Sequence, residues 1–281
     1  MPAGSVKSGA VPCACCGGFV FKPALDCEDF SFVRCVSCGL VQRNPQPVKD
    51  EIIARYSAVF GGDYLSYEIE NEASFLKLQQ LALVDAKFDE LEKTLFSAKE
   101  SPSVIDVGCA TGALLADLRD RGWRVTGVEI SPCAEYAKKE RRLDVRNIPF
   151  EENKFSQENF DVILASHLIE HLNDPASFLT EVNRVLKEGG RIFITTPNIS
   201  GFQARLYGGR WRSAIFDHLY LFSVRTLSKM LKKAGFKIER IRTWGGLAAG
   251  LAPPWLKKSA DYLAKRLGCG DVMIVRARKV K

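Results

Sequence analysis

Hydrophobic positions along this chain change their period from one region to the next. Between residues 50 and 98, Phe75, Leu78, Leu81, Leu83, Val84, Phe88, Leu91 and Leu95 recur mostly at spacings of three and four. That spacing predicts helix. From Pro102 onward, short β-branched runs alternate with helical stretches. The runs are Ser103–Val107, Arg124–Ile130, Phe160–Ala165 and Arg191–Thr195. The alternation predicts an α/β fold, with a parallel sheet carrying helices on both faces. Residues 1–48 show little helical periodicity and are rich in Cys, Gly and Pro. The expected organisation is a small ribbon over 1–48, a helical connector or lid over 49–99, and an α/β domain over 100–281. No internal repeat or low-complexity tract is present.

Composition adds a location. The 281 residues are 46% hydrophobic and 26% charged, ordinary for a globular chain. Met1 to Pro12 lack the apolar run of a secretory signal. The uncharged stretch Thr243–Leu256 is shorter than the ~20 residues of a spanning helix, and Pro253 and Pro254 interrupt it. The expected location is the cytoplasm, where nine cysteines read as metal ligands and buried thiols rather than disulfides.

Charge is unevenly spread. From Gly201 to Lys281 there are 18 Lys and Arg against Asp217, Glu239, Asp261 and Asp271, a balance of +14. The whole chain is +7, so the first 200 residues carry −7. A basic C-terminal part can attract an anionic substrate, RNA or an anionic membrane, or serve as a solvated face. Within it, Trp255, Leu256, Tyr262, Leu263 and Leu267 share an amphipathic stretch with Lys257, Lys258, Lys265 and Arg266. The stretch 255–267 either packs on its own domain or lies on the inner face of a membrane.

Two cysteine pairs define the first candidate site. Cys13-x2-Cys16-Gly17 is followed, after eighteen residues, by Cys35-x2-Cys38-Gly39. This is ribbon spacing. A glycine after each pair lets the backbone curl its N–H groups toward the sulfurs. Four thiolates suit tetrahedral Zn²⁺ in a closed, structural site. Cys15 and Cys27 fall outside the frame.

The second site is a turn after a buried strand. Val104-Ile-Asp106-Val-Gly108-Cys109-Ala110-Thr-Gly112 runs into Leu114, Leu115 and Leu118, which begin a helix. Strand, tight turn and helix N-terminus together present N–H groups and the positive end of the helix dipole to a ligand. The next strand ends at Glu129, 17 residues past Gly112, where a carboxylate can accept both hydrogen bonds of a ribose diol.

Asp106-Val-Gly-Cys-Ala-Thr-Gly112 resembles motif I of class I S-adenosylmethionine-dependent methyltransferases. The resemblance continues through Phe160-Asp-Val-Ile, Leu168-Ile-Glu170-His171-Leu-Asn-Asp174-Pro175, Leu186-Lys-Glu-Gly189-Gly190 and Thr196-Pro197-Asn198. His218, Phe222-Ser223, Leu227 and Ala234-Gly235-Phe236 follow at familiar spacing. The set resembles the broad group of ubiquinone-type, natural-product and glycan methyltransferases. Cys38-Gly39-Leu40-Val41 with Pro45 and Pro47 resembles the zinc ribbon fused to some of them. The resemblance covers roughly residues 13–48 and 100–281.

It implies a Rossmann-like sheet of seven strands, the last one, Asp271–Ala277, antiparallel. It places Asp106, Gly108, Cys109, Ala110 and Gly112 around the methionine end of S-adenosylmethionine. Glu129 and Ile130 fall at the ribose side, Asn147 beside the adenine, and Ser166 with His167 near the sulfonium. Ubiquinone-type relatives hold a divalent ion with an E-x-x-E-H stretch. Here Glu170 and His171 remain, and His167 replaces the first acid. A divalent ion near Glu170 and His171 is one reading; a structural tie to neighbouring segments is the other. The H-x-x-E-H spacing also matches a metalloprotease motif, which the strand context excludes. A helix is expected to begin at this stretch, with 167, 170 and 171 adjoining.

His167, His171 and His218 are the chain's three histidines and its candidate catalytic residues. His218 lies in the connection that overhangs the acceptor pocket in this architecture. It is the leading candidate for a general base; packing or capping the lid is its alternative role. Tyr207, Trp211 and Tyr220 are candidates for the pocket wall or for core. Three functions compete. One is methylation of a small-molecule, glycan or lipid-linked acceptor, expected to be anionic, at oxygen or carbon. The second is RNA methylation, with the ribbon and basic C-terminal part gripping RNA. The third is a non-catalytic binding module that kept the fold.

Overall fold

In the computed structural model the described residues are 8–9, 11–47, 61–245 and 268–280, with Pro253, Tyr262, Ala264 and Lys265 between the last two. The N-terminal residues form short strands: β1 (Ser8–Gly9), β2 (Phe21–Asp26), β3 (Ser31–Cys35), β4 (Val41–Arg43) and β5 (Gln46–Pro47). β1 pairs with β5, and β2, β3 and β4 make an antiparallel meander.

The helical periodicity becomes α1 (Gly61–Asp85) and α2 (Phe88–Ala98). Lys87, at φ 62°, separates them. The part of the predicted helical region before residue 61 lies outside the described residues.

β6 (Ser103–Val107), α3 (Ala113–Asp120), β7 (Arg124–Val128), α4 (Cys133–Arg141), β8 (Val145–Arg146) and β9 (Phe160–Ser166) follow in turn. Then come α5 (Pro175–Val185), β10 (Leu186–Pro197), α6 (Phe202–Tyr207), β11 (Tyr220–Leu221), α7 (Val224–Lys233), β12 (Phe236–Trp244) and β13 (Val272–Lys279). Seven strands form one sheet in the order β12-β13-β10-β9-β6-β7-β8. β13 runs antiparallel to both β10 and β12, as the resemblance implies. All five residues of β6 are buried, because β6 is paired in parallel on both edges and covered on both faces.

The expected helix at His167 does not form. After β9 the chain turns through Leu168–His171, and α5 starts at Pro175. His167 stands at φ 51°, outside helical space, and the stop–start signals lie further on. Asp174 accepts from the N–H groups of Ala176 and Ser177, and Pro175 occupies the first helical position, where it needs no donor partner. α7 begins at Val224 under a Ser223/Thr226 capping box.

α1 and α2 cover one face of the sheet. Phe88 sets its ring 5.4 Å from both Trp123 and Phe193. The other face carries α5 and α7, and the ribbon is packed onto that side. Cys13, Cys35, Cys38 and Leu40 share one apolar cluster with Phe178, Leu179, Leu227 and Met230. β4 is also extended by β11, with Gln42 opposite Tyr220 and Val41 opposite Leu221. The ribbon sheet therefore has four strands, and one of them comes from the connection between β10 and α7. No helix among the described residues is long and apolar enough to cross a membrane. The amphipathic stretch 255–267 lies outside the described residues except for Tyr262, Ala264 and Lys265.

Candidate active site

The cofactor turn is built by backbone conformation. Gly108 and Gly112 have φ of 77° and 76°, the left-handed region that glycine adopts at little cost. A Cβ on Gly112 would also stand 2.6 Å from Leu143 Cδ1. Ala110 holds φ 47° between them, a strained position for a residue with a side chain. α3 then starts at Gly112 with no side-chain cap, so its first-turn N–H groups remain for a ligand.

Glu129 is buried and fixed from two sides. Ala110 N–H donates to Oε2 at 3.0 Å, and Ser131 N–H donates to Oε1 at 2.8 Å. Each carboxylate oxygen keeps acceptor capacity for a further hydroxyl. Asp106 lies beneath the turn, 1% exposed, and its Oδ1 has no hydrogen-bond partner. Burial, then the nearby Glu129, pushes its carboxyl well above the ordinary range. A cationic group of a ligand placed here would relieve that burial cost. The donor set therefore fits a cofactor with a ribose diol and a positively charged arm.

A cavity of about 1110 Å³ opens over the C-terminal ends of the strands. Such a volume exceeds the ~300–1,000 Å³ typical of one small ligand, leaving room for two reactants. Gly108, Ala110, Glu129, Ile130, Ser166, His167, His171 and His218 all line it. Cys109, buried, and Gly112 shape the turn from behind. Asn147, expected beside the adenine, is not among the lining residues; its Nδ2 donates to Glu129 O at 2.7 Å and braces the loop after β7. Tyr64 and Glu68 of α1 close the cavity above Glu129. Burial, then Glu129 and Glu68, raises the Tyr64 phenol. The hydrophobic period predicts α1 as a helix but does not say which of its turns faces the Gly108–Gly112 loop.

The three histidines converge around one acid. Glu170 is fully buried, and its Oε2 accepts from Thr196 Oγ1 at 2.9 Å. Its Oε1 lies 3.2 Å from His167 Nδ1, close enough for an ion pair but with no aligned hydrogen-bond donor. Burial opposes its charge, yet His167, His171 and His218 together hold it down at about 2. His171 and His218 stack edge to face with ring centres 4.7 Å apart. Each sets Nδ1 against a carbonyl oxygen, Asp217 O at 3.0 Å and Ser213 O at 2.8 Å. A carbonyl only accepts, so Nδ1 carries the proton and Nε2 is the acceptor nitrogen in each. Burial, then the neighbouring His171, pushes His218 down to about 4. Glu170, His171 and His218 each bring a ligand atom within 4.8 Å of the others. A carboxylate and two neutral imidazoles suit a divalent transition ion.

Of the candidate aromatics, neither Trp211 nor Tyr220 lines the cavity. Trp211 is buried and donates from Nε1 to Asp271 Oδ1 at 2.5 Å; Tyr220 donates to Asn173 O at 2.9 Å. No motif in the sequence marks Arg212 or its pairing with Asp271. Arg212 lines the cavity with its Nε 2.7 Å from Asp271 Oδ2.

In the ribbon, Cys13 Sγ lies 3.3 Å from Cys38 Sγ, and Cys16 Sγ lies 3.5 Å from Cys35 Sγ. All four sulfurs fall within 4.8 Å of one another. Bonds of about 2.3 Å to a tetrahedral ion require sulfur separations of roughly 3.8 Å, so the cage has the right size. Backbone N–H groups of Cys15 and Cys16 face Cys13, and those of Ser37 and Cys38 face Cys35. Gly17 and Gly39 make those turns at φ 75° and 85°. Cys15 is buried beside the cage, and its carbonyl accepts from Lys233 Nζ at 2.7 Å, docking the ribbon on α7.

A family model described as a methyltransferase domain matches residues 78–241. The ubiquinone biosynthesis O-methyltransferase of Caulobacter vibrioides is 29% identical over 160 residues, 52% of this chain and 62% of that protein. Its counterpart from Idiomarina loihiensis is 32% identical over 165 residues, 56% of this chain and 63% of that protein. The chain thus spans less than two thirds of the length of these curated relatives. Among solved structures, an S-adenosylmethionine-dependent methyltransferase from Thermotoga maritima superposes with a TM-score of 0.51 at 22% identity, covering 79% of this chain and all of that one. One from Listeria monocytogenes gives 0.51 at 18% identity, covering 69% and 98%. At these identities the structural likeness establishes the fold alone.

Proposed function

The chain belongs to the methyltransferase-domain family of class I S-adenosylmethionine-dependent enzymes, and on that premise we propose that it methylates a hydroxyl oxygen of a small-molecule, glycan or lipid-linked acceptor. One observation carries the reading. A single cavity joins the cofactor turn and Glu129 to the cluster of Glu170 and the three histidines. The O-methyltransferase relatives favour oxygen over carbon as the acceptor atom.

When bound, S-adenosylmethionine supplies the methyl group as a reactive sulfonium. Glu129 would accept from the ribose hydroxyls, the buried Asp106 beneath the turn would offset the charge of the cationic arm, and Gly108 and Ala110 would bring their backbone close. Ser166 and His167, at the end of β9, border the methyl. Holding the acceptor oxygen in line behind that carbon is the main catalytic task, worth up to ~7–11 kcal/mol at the ideal limit. His167 is half exposed at the cavity and stands against the buried Glu170. It takes the hydroxyl proton in place of the expected His218, whose ring is buried and stacked against His171, a contribution of roughly 10²–10⁴-fold. Glu170, His171 and His218 would hold a divalent ion, which would polarise the acceptor hydroxyl. We assign the four ribbon thiols to structural Zn²⁺.

The test uses S-adenosylmethionine labelled on its methyl group, incubated with the protein and a cell extract. The extract is then separated into RNA, protein, polar metabolites and lipid-linked glycans. Label in the last two fractions supports the proposal. Label confined to RNA and released by ribonuclease would overturn it in favour of an RNA methyltransferase. No transfer, with no cofactor binding, would leave a non-catalytic module.

A further inference from the structure

Among the described residues lining the cavity, Arg212 is the one permanent cation. Acids surround it: Glu68, Glu129, Glu151, Asp174 and Asp217 also line the space. A guanidinium left in such a cavity by chance would swing to solvent or to several carboxylates. This one is held. Its Nε sits 2.7 Å from Asp271 Oδ2, and Asp271 is fully buried. Trp211 Nε1 takes the other oxygen, and Asn198 N–H donates to the Asp271 carbonyl at 2.8 Å. The carboxylate is therefore fixed before the arginine meets it. Both Nη groups carry no partner among the described residues, although the side chain is 62% exposed. An arginine anchored through Nε presents the Nη edge as a fork for two oxygens of an oxyanion.

Position separates this fork from the cofactor. Asp271 directly precedes β13, four strand spacings from β7 in the sheet order. At about 4.8 Å per spacing that is roughly 19 Å from the strand end that carries Glu129. Glu129 after β7 and the Gly108–Gly112 turn after β6, which would hold the cofactor, both lie short of β13. His167 and Glu170, just after β9, stand between the two ends.

We propose that Arg212 is a specificity-determining residue that binds an oxyanion, a carboxylate or phosphate, on the acceptor. The inference rests on the methyltransferase reading above. It predicts an acceptor whose reacting hydroxyl and anionic group are separated by about two strand spacings, near 10 Å.

Protein saturated with S-adenosylhomocysteine is titrated with 4-hydroxybenzoate, phenyl phosphate and the neutral 4-hydroxybenzamide, followed by ligand-observed NMR. The wild-type chain is expected to bind at least one oxyanion probe tenfold or more tightly than the amide. Arg212→Gln should bring that ratio to within twofold of one, with the amide unchanged. Arg212→Lys, which keeps the charge and loses the fork, should fall between. A carboxylate-only or a phosphate-only preference identifies which oxyanion is taken. Equal binding of all three by the wild type, no binding of either anion, or an unchanged ratio in Arg212→Gln overturns the proposal. Binding of S-adenosylhomocysteine is read in the same sample. Its loss would sink the methyltransferase reading, whereas its retention without an anion preference sinks the Arg212 assignment alone.

Discussion

Arg43, on the last ribbon strand of the meander, donates from Nη1 to the carbonyl oxygen of Phe216 at 2.5 Å. Its guanidinium lies 4.0 Å from the centre of the Phe216 ring, and its backbone N–H donates to Leu219 O at 2.9 Å. One ribbon residue thus fixes the chain on both sides of Asp217 and His218. The ribbon lines none of the cavity itself among the described residues, but braces the segment that carries Asp217 and His218 to it.

Arg43→Met keeps the stem and removes these contacts. Methyl transfer is expected to fall at least tenfold, because small misplacements near the reacting groups carry penalties of up to ~10². Affinity for S-adenosylhomocysteine should stay within threefold, since Arg43 acts on Phe30, Phe216 and Leu219 rather than on the turn that holds Glu129. Turnover and calorimetric titration on the same preparation check both halves. A matched loss of cofactor affinity would refute the separation.

Metal removal should act in the same direction. One zinc per chain is expected by elemental analysis, and Cys16→Ser should lose it. That variant should retain cofactor binding while losing transfer, because the cage supports β4 and β4 supports residues 219–221.

Glu129→Gln preserves shape and removes the charge that accepts from the ribose. Charged hydrogen bonds contribute about 1.5–3 kcal/mol, so cofactor affinity should fall roughly tenfold to a hundredfold. Isothermal titration with S-adenosylhomocysteine measures it directly.

Much of this arrangement was readable in the chain. Ser103–Val107 and Phe160–Ala165 announce buried parallel strands, and the glycines of Asp106–Gly112 announce the tight turn that meets Glu129. The turn at His167 was hidden, because a left-handed residue at a strand end carries no sequence signal unless it is glycine. Arg43 with Phe216, and Arg212 with Asp271, were out of reach for another reason. Each pair joins segments far apart in sequence, and neither partner is unusual in its own local pattern.

Gly112→Ala should destabilise the fold by about 1–3 kcal/mol. The substitution combines φ 76° with a methyl placed 2.6 Å from Leu143 Cδ1. Urea denaturation should show a lower midpoint with an unchanged slope.

Asp161 makes a prediction about acid. Its carboxylate is 5% exposed and pairs with Lys99 at 2.5 Å and Lys187 at 3.0 Å. Burial opposes its charge, yet these lysines and Ser103 bring it down to about 2. A lowered acid stabilises the fold fully above its unfolded value, about 4, and loses that contribution as pH falls toward 2. Both lysines are about a third exposed, so the contribution is set at about 2 kcal/mol. Asp161→Asn should be less stable than wild type by that amount at pH 7, and the gap should close between pH 4 and pH 2 in urea titrations.

The pairing of β4 with β11 also orders events during synthesis. Gln42 meets Tyr220, made 178 positions later. At roughly 5–20 residues per second the ribosome needs about 10–35 s to bridge that interval. Through that time the ribbon holds an open strand edge and an uncovered apolar face at Phe32 and Val41. A chain stalled before residue 219 would present both, so aggregation of truncated products should begin at the end of the protein that is made first.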